Sequence, residues 1–257
     1  MLYQAIAVAR RVLLELWRQK RSLILWAVFP VCLAIINGLV LAEGARLDPR
    51  EAFAFVTPAT VVGAGLFFSC LGGTVATIVA ERESRTLKRL LISQLRGTAY
   101  YLGILLAYIY VGLGQTILVY AVGTMWGVRF QGAVWLGGLI ILLCIAGYVG
   151  TGFLLGTTWA KRTEDVNSLV AGIGVPLLML GGAFFPPRYL PANLAQLAQF
   201  NPIYHISSAL VLVSSAGADF SNISLVSHFI FLVGFVLVGI AAGALTYGKL
   251  LRRERQL

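Results

Sequence analysis

The sequence predicts an all-α polytopic membrane protein with six transmembrane helices. Of its 257 residues, 59% are hydrophobic and 12% are charged, whereas soluble globular chains are about 45–50% apolar and about 25% charged. Several apolar stretches also reach the roughly 20 residues that a helix needs to cross a hydrocarbon core of about 30 Å. These stretches are too long and too uniformly apolar for the alternating strands of an outer-membrane barrel.

Six apolar spans follow one another along the chain. Their predicted bounds are 22–42, 54–80, 98–125, 133–159, 166–184 and 223–247. The run 202–215 is also apolar, but its 14 residues are typical of a re-entrant or interfacial segment. We therefore expect one or two short re-entrant helices within the external segment 185–222, where several prolines exclude a single straight helix.

The basic residues are concentrated on one side of the predicted topology. Sixteen of the twenty Lys and Arg residues lie in the N-terminal segment, the second and fourth loops and the C-terminal tail. The other side has Arg46, Arg50, Arg129 and Arg188. Because cytoplasmic loops are enriched in Lys and Arg, both termini are predicted to be cytoplasmic. This topology accounts for the net charge of +10, so no nucleic acid is expected as a partner.

Residues 1–21 predict an amphipathic helix. Its apolar face is predicted to contain Ala5, Ala9, Val12, Leu13, Leu16 and Trp17, and its polar face Arg11, Glu15, Arg18 and Gln19. A basic amphipathic helix beside a membrane lies in the plane of the interface. The alternative is a solvated basic segment that leads into the first span.

The stretch 81-ERESRTLKRLLIS-93 contains the densest charge cluster. Its charged members are Glu81, Arg82, Glu83, Arg85, Lys88 and Arg89. Each charge at the bilayer centre costs roughly 2.5–3.5 kcal/mol, so the cluster lies outside the lipid at the mouth of span two. Leucines at helical spacing and an expected Glu81–Arg85 pair predict a short amphipathic cytoplasmic helix over 81–96. Such a helix suits a groove on a soluble partner, whereas a pure orientation anchor needs neither the two glutamates nor the leucines.

Three sequence patterns occur in a characteristic order. They are E-x-E-x-x-T-L (Glu81, Glu83, Thr86, Leu87), P-x-x-x-x-x-G-x-x-F-P (Pro176, Gly182, Phe185, Pro186) and N-P-x-Y (Asn201, Pro202, Tyr204). With the basic helix and six spans, they make the chain resemble the permease subunits of bacterial ABC-2 type ABC exporters over nearly its whole length. That family usually has Gly at the position of Arg85. The resemblance implies that residues 1–257 form a single ABC-2 type transmembrane domain.

The resemblance also implies partners, a location and a function. It implies a homodimer in the bacterial inner membrane that pairs with a separate ABC ATPase subunit. The complex would export a lipidic, amphipathic, glycan-linked or drug-like substrate from the cytoplasm or inner leaflet. The cluster at 81–96 would then be the coupling helix, with Glu81 at its junction with span two and with Arg85, Lys88 and Arg89 against the ATPase.

Spans two and five would line the substrate pathway if the resemblance holds. The candidates there are Phe67, Phe68, Thr74, Met179 and Phe184. Asn37 is the one strongly polar residue deep in span one, where it either lines the pathway or bonds a neighbouring helix. Apolar residues in a span are core residues by default.

The chain is expected to have no ATPase site of its own. Residues 243–249 match G-x-x-x-x-G-K, but Leu250 stands where Ser or Thr is required. We expect Gly248 and Lys249 to end the last helix instead. ATP and Mg²⁺ would be bound by the partner. No catalytic residue, cofactor or metal is expected here, because His205 and His228 have no metal-ligand spacing.

Two smaller patterns predict local structure. Gly152-x-x-x-Gly156 in span four favours close helix packing. Asp165 and Asn167 stand at the start of span five, where they are predicted to cap it.

Two other functions compete with the export permease. An ion-coupled secondary transporter or channel usually has charged residues within its spans and an internal repeat, and the sequence shows neither clearly. A membrane-anchored assembly factor without transport activity stays open.

Overall fold

Long apolar helices form the body of the protein in this computed structural model. The structure describes residues 1–86, 89, 95–184 and 190–256, with the backbone alone for 248–256. Six described helices are long and apolar enough to cross a membrane: α2 Lys20–Ala45, α3 Pro49–Glu83, α4 Gly97–Met125, α5 Val134–Thr158, α6 Thr163–Leu180 and α9 Ile223–Gln256, whose apolar part is Ile223–Tyr247. Shorter helices are α1 Leu2–Arg18, α7 Ala192–Ala198 and α8 Pro202–Ala216. The all-α class and the six spans are confirmed.

Helix α3 is the central helix of the bundle. Within its apolar window 83% of the residues are buried, compared with 17% for α2 and 22% for α6. Its middle part, Val61–Gly72, is a π-helix. This conformation, with hydrogen bonds between residues i and i+5, is rare and is often found at functional sites. Because α3 packs against α2, α4, α5 and α6, the ends of these helices surround the end of α3.

Glycines allow α5 to approach two helices closely. A Cβ atom on Gly150 would lie 2.6 Å from the carbonyl carbon of Gly239 in α9. On the other side of α5, a Cβ atom on Gly152 would lie 2.8 Å from Cβ of Thr74 in α3, and Gly156 also faces α3. The predicted packing role of Gly152-x-x-x-Gly156 is confirmed.

The amphipathic helix α1 packs against α4. Its buried residues are Ala5, Val8, Ala9, Val12 and Leu16. A Cβ atom on Gly103 of α4 would lie 2.5 Å from Cβ of Val8, so the two helices are in close contact. Trp17 is 71% exposed within the single chain, so its place at the membrane interface stays a prediction. Arg11, on the predicted polar face, extends its side chain to a buried carboxylate. Contact with α4 therefore selects the residues of α1 that are buried within the chain.

The predicted external segment contains the two short helices α7 and α8. The Asn201 side chain caps α8 by accepting a hydrogen bond of 3.0 Å from the backbone N–H of Ile203, and the helix ends at Gly217, whose φ is +66°. Helix α8 packs among α3, α5 and α9. Its apolar side chains are therefore shielded, as predicted; residues 185–189 lie outside the described part of the chain.

Two predictions about helix ends have opposite outcomes. The Asp165 carboxylate accepts a hydrogen bond of 3.0 Å from the backbone N–H of Arg162, so Asp165 caps α6 as expected, while Asn167 lines a cavity. The prediction that Gly248 and Lys249 end the last helix was wrong, because α9 continues to Gln256.

Candidate functional site

Three consecutive charged residues end the central helix. Glu81, Arg82 and Glu83 are the last residues of α3, and we call them the junction. Successive side chains on a helix point about 100° apart, so the three side chains leave α3 in different directions. Each one binds different neighbouring helices.

Glu81 connects α3 to α1 and α4. It is 5% exposed and forms an ion pair with Arg11 of α1. The hydroxyl of Tyr100 in α4 donates a hydrogen bond of 2.5 Å to Oε2 of Glu81. Tyr100 in turn stacks on Tyr247 of α9 at a centroid distance of 5.2 Å. A buried carboxylate is tolerated when it is paired and hydrogen-bonded, and here both conditions are met.

Arg82 and Glu83 bind the ends of α5 and α6. Nη1 of Arg82 donates to the backbone carbonyls of Gly156, at 2.8 Å, and Ala160, at 3.1 Å. The last carbonyls of a helix lack intrahelical partners, and a cation there is favourable. Glu83 accepts a hydrogen bond from the hydroxyl of Thr163, the first residue of α6. The junction therefore connects α3 to α1, α4, α5 and α6.

The chain leaves α3 through an unusual backbone conformation. Arg85 has a φ of +55°, in the left-handed region that favours glycine. The predicted Glu81–Arg85 ion pair was wrong, because the helix has ended before Arg85 and Glu81 is bound by Arg11. Arg85 and Arg89 are exposed. Residues 87, 88 and 90–94, which are seven of the sixteen residues of the predicted coupling helix and include Lys88, lie outside the described residues.

A cavity of about 500 Å³ lies beside the junction. It is at the end of the bundle where α1, the junction and the start of α6 lie, which we call the basic end. Its polar lining includes Glu15, Gln19, Glu81, Thr163 and Asn167, and its apolar lining includes Trp26, Phe68 and Val170. We call it the basic-end cavity. Polar and aromatic side chains in one cavity suit an amphipathic molecule.

A family model described as ABC-2 type transporter matches residues 3–214. The chain belongs to the ABC-2 type transporter family. A comparison with curated protein sequences finds no match. Membership makes this chain a multi-pass membrane permease, the transmembrane component rather than the ATPase, and implies an ABC ATPase subunit as its partner. The matched region contains the junction.

The predicted coupling residues of this ABC-2 permease fall into two groups. Glu81, Arg82 and Glu83 bind helices of their own chain. Arg85 and Arg89 are exposed just beyond α3. A direct contact with the ATPase therefore stays a prediction for the two exposed arginines, while the junction has the geometry to pass a movement on to the helices.

The predicted pathway residues of the permease lie in different places. Phe68 lines the basic-end cavity. Asn37 and Phe184 line a second cavity at the opposite end of the bundle. Asn37 and Phe184 were both pathway candidates, and the structure brings these two together while it places Phe68 at the other end.

The other three candidates share no surface within one chain. Phe67 is 3% exposed and lines a small cavity between α3, α5 and α6. Thr74 is fully buried, and its hydroxyl donates to the Cys70 carbonyl at 2.6 Å. Met179 is 45% exposed. Their role in a pathway stays a prediction.

Several partners in these sites were not predicted. Arg11 and Tyr100 bind Glu81, and the sequence carried no signal for these partners, because it placed Glu81 in water at the mouth of span two. His205 and His228 were treated as unrelated, yet their Nδ1 atoms are 2.8 Å apart. No local sequence pattern predicts that the two histidines meet, because 23 residues separate them.

Proposed function

We propose that this ABC-2 permease is the membrane half of an ATP-driven exporter. In this mechanism, ATP hydrolysed with Mg²⁺ on the separate ATPase subunit moves residues 84–96 and, through the junction, the basic end of the bundle. The observation that carries the proposal is the double position of Glu81, which binds α1 and α4 and also lines the basic-end cavity. A displacement of Glu81 therefore changes helix positions and cavity shape together.

The basic-end cavity supports the proposed substrate class and direction. Its lining is polar toward α1 and the start of α6 and aromatic toward α2 and α3. The enrichment of Lys and Arg supports a cytoplasmic location for this end, in the bacterial inner membrane. Loading from the cytoplasm or inner leaflet supports export of a lipidic, amphipathic, glycan-linked or drug-like molecule.

A second copy of the chain would complete the permease. The apolar windows of α2 and α6 are only 17% and 22% buried in a single chain. These faces have room for lipid and for a homodimer partner. The alternative of an ion-coupled secondary transporter or channel has no observation in its favour, since the family assigns the chain to ABC transporters.

Charge reversal tests ATPase docking. We expect the Arg85→Glu/Arg89→Glu double variant to lose a co-purifying ATPase subunit without unfolding, because both side chains are exposed. The matched control is Arg46→Glu/Arg129→Glu, which reverses two exposed arginines at the other end of the bundle. Full recovery of the ATPase with the 85/89 variant would contradict docking at this surface.

Inside-out vesicles test export. We expect ATP to move a fluorescent short-chain phospholipid into the lumenal leaflet, where dithionite cannot reduce it. Glu81→Gln should retain the ATPase subunit and slow this movement at least about tenfold, which corresponds to about 1.4 kcal/mol. ATP-dependent movement toward the outer leaflet of these vesicles would refute export.

A further inference from the structure

The cavity at the opposite end of the bundle is lined by both apolar and polar side chains. It has a volume of about 320 Å³ and lies between α2, α3, α8, α9 and the segment after α6. Ligand pockets in proteins are commonly about 300–1,000 Å³. Its apolar residues include Phe55, Val56, Ala59, Phe184 and Leu212, and its polar residues are Asn37, Ser207, Ser208, Ser224 and His228. We call it the outer cavity.

Two buried polar atoms at the outer cavity have no partner. Oγ of Ser207 and Nδ2 of Asn37 are buried, and neither forms a hydrogen bond with the described residues. Ser207 is 4% exposed and lies within α8. Hydroxyls inside a helix normally bond the carbonyl four residues back, as Thr116 and Thr151 do in this protein. Ser207 does not, so its hydroxyl is left without a partner at the lining of the cavity.

A third polar atom is supplied by the histidine pair. Nε2 of His205 lies 2.8 Å from the backbone carbonyl oxygen of Gln199. A carbonyl only accepts, so Nε2 of His205 carries a proton. In the neutral pair, Nδ1 of His205 therefore accepts a hydrogen bond from the Nδ1–H group of His228, at 2.8 Å. This arrangement leaves Nε2 of His228 as an acceptor with no partner in the described part of the chain.

The outer cavity thus offers an amide donor, a hydroxyl and an imidazole acceptor beside an apolar wall. Its described lining residues include no Asp, Glu, Lys or Arg, so a charged ligand would lack a counter-ion there. We propose that the outer cavity binds an uncharged amphiphile whose head carries hydroxyl groups. The ligand head donates to His228 and accepts from Asn37, and its chain lies along Phe55 and Leu212. This inference goes beyond the proposed export function and holds for either transport direction.

Photolabelling with an alkyl glucoside tests the proposal. The probe is an octyl glucoside with a diazirine in its alkyl chain, applied to the permease in lipid nanodiscs and mapped by peptide mass spectrometry. We expect labelling of the outer cavity to be saturable, and an octyl sulfate with the same diazirine to label it at least about tenfold less. The apolar cavity of about 290 Å³ between α3, α5 and α6 is an internal control, which both probes should label alike.

Ser207→Ala separates a binding role from a structural role. Because the hydroxyl is unsatisfied without ligand, its removal should leave the thermal stability of the empty protein equal or higher. The same variant should weaken saturable labelling by about five- to tenfold, the value of one lost hydrogen bond. The control is Ser69→Ala, a buried serine whose hydroxyl already bonds the Gly65 carbonyl, which should lower stability and leave labelling unchanged.

Two results would overturn the proposal: equal labelling of both cavities by both probes, or unchanged labelling of Ser207→Ala and Asn37→Ala. The amphiphile is either a transported substrate or a resident lipid, and either identity supports the proposal. ATP hydrolysis by the complex with the ATPase subunit distinguishes the two. Stimulation of ATP hydrolysis by octyl glucoside in the wild type but not in Ser207→Ala identifies a transported substrate. Saturable labelling with no change in hydrolysis identifies a resident outer-leaflet lipid.

Discussion

The ion pair between Arg11 and Glu81 offers a sharp test of the junction. The Glu81 side chain is 6% exposed and that of Arg11 is 26% exposed. Arg11→Met removes the guanidinium but keeps most of the apolar stem, so the packing of α1 is largely retained. The variant leaves a buried carboxylate whose remaining described partner is the Tyr100 hydroxyl.

The expected cost can be worked out from these contacts. Removing one member of a buried ion pair costs about 3–5 kcal/mol. Because Arg11 is about one quarter exposed and Tyr100 continues to donate, we expect a loss of about 2–3 kcal/mol in the free energy of unfolding for Arg11→Met. Glu81→Gln should lose about 2 kcal/mol. The double variant contains no unpaired buried charge at this site, so it should lose less than the sum by at least about 1 kcal/mol.

The assay is unfolding of the four proteins by sodium dodecyl sulfate in mixed detergent–lipid micelles. Arg10→Met is the matched control, because Arg10 lies beside Arg11 on α1 and is exposed. It should change the free energy of unfolding by less than about 0.5 kcal/mol. The losses of unfolding free energy in Arg11→Met and Glu81→Gln can be summed and compared with the loss in the double variant. Agreement to within about 0.5 kcal/mol would refute the coupling of α1 to α3 through this pair.

Three further predictions follow from the helix contacts. Arg82→Met should lower the free energy of unfolding by about 1–3 kcal/mol and speed hydrogen exchange in the last turn of α5, and unchanged exchange would contradict the capping role. Arg85→Gly should raise the melting temperature, because a non-glycine residue in the left-handed region costs about 1–2 kcal/mol, and a lower melting temperature would count against this turn. Gly150→Leu should separate α5 from α9 and abolish monodisperse protein in size-exclusion chromatography. Gly138→Leu is its control in the same helix, because a Cβ atom there meets nothing within 4 Å; equal behaviour of the two variants would exclude the close contact.

The sequence alone determined the features that depend on local composition. The six spans were found because bilayer thickness sets the length of an apolar helix, and α8 was recognised as too short to span. The Asp165 cap and the packing glycines Gly152 and Gly156 were also predictable, since capping and close approach depend on residue type at fixed spacing. The usual family Gly at position 85 matches the positive φ of Arg85, but the pattern by itself did not reveal that turn.

The tertiary structure alone decided which side chains meet. The junction charges were expected to form a separate helix, yet Glu81 finds its cation in Arg11, 70 residues earlier, and Arg82 binds the end of α5. The same holds for His205 and His228 and for the unpartnered Ser207 hydroxyl at the outer cavity. Helical periodicity defines the direction of each side chain relative to its own helix only. What that side chain meets depends on how the helices pack, because the partners are distant in sequence and the buried charges must find each other across the bundle.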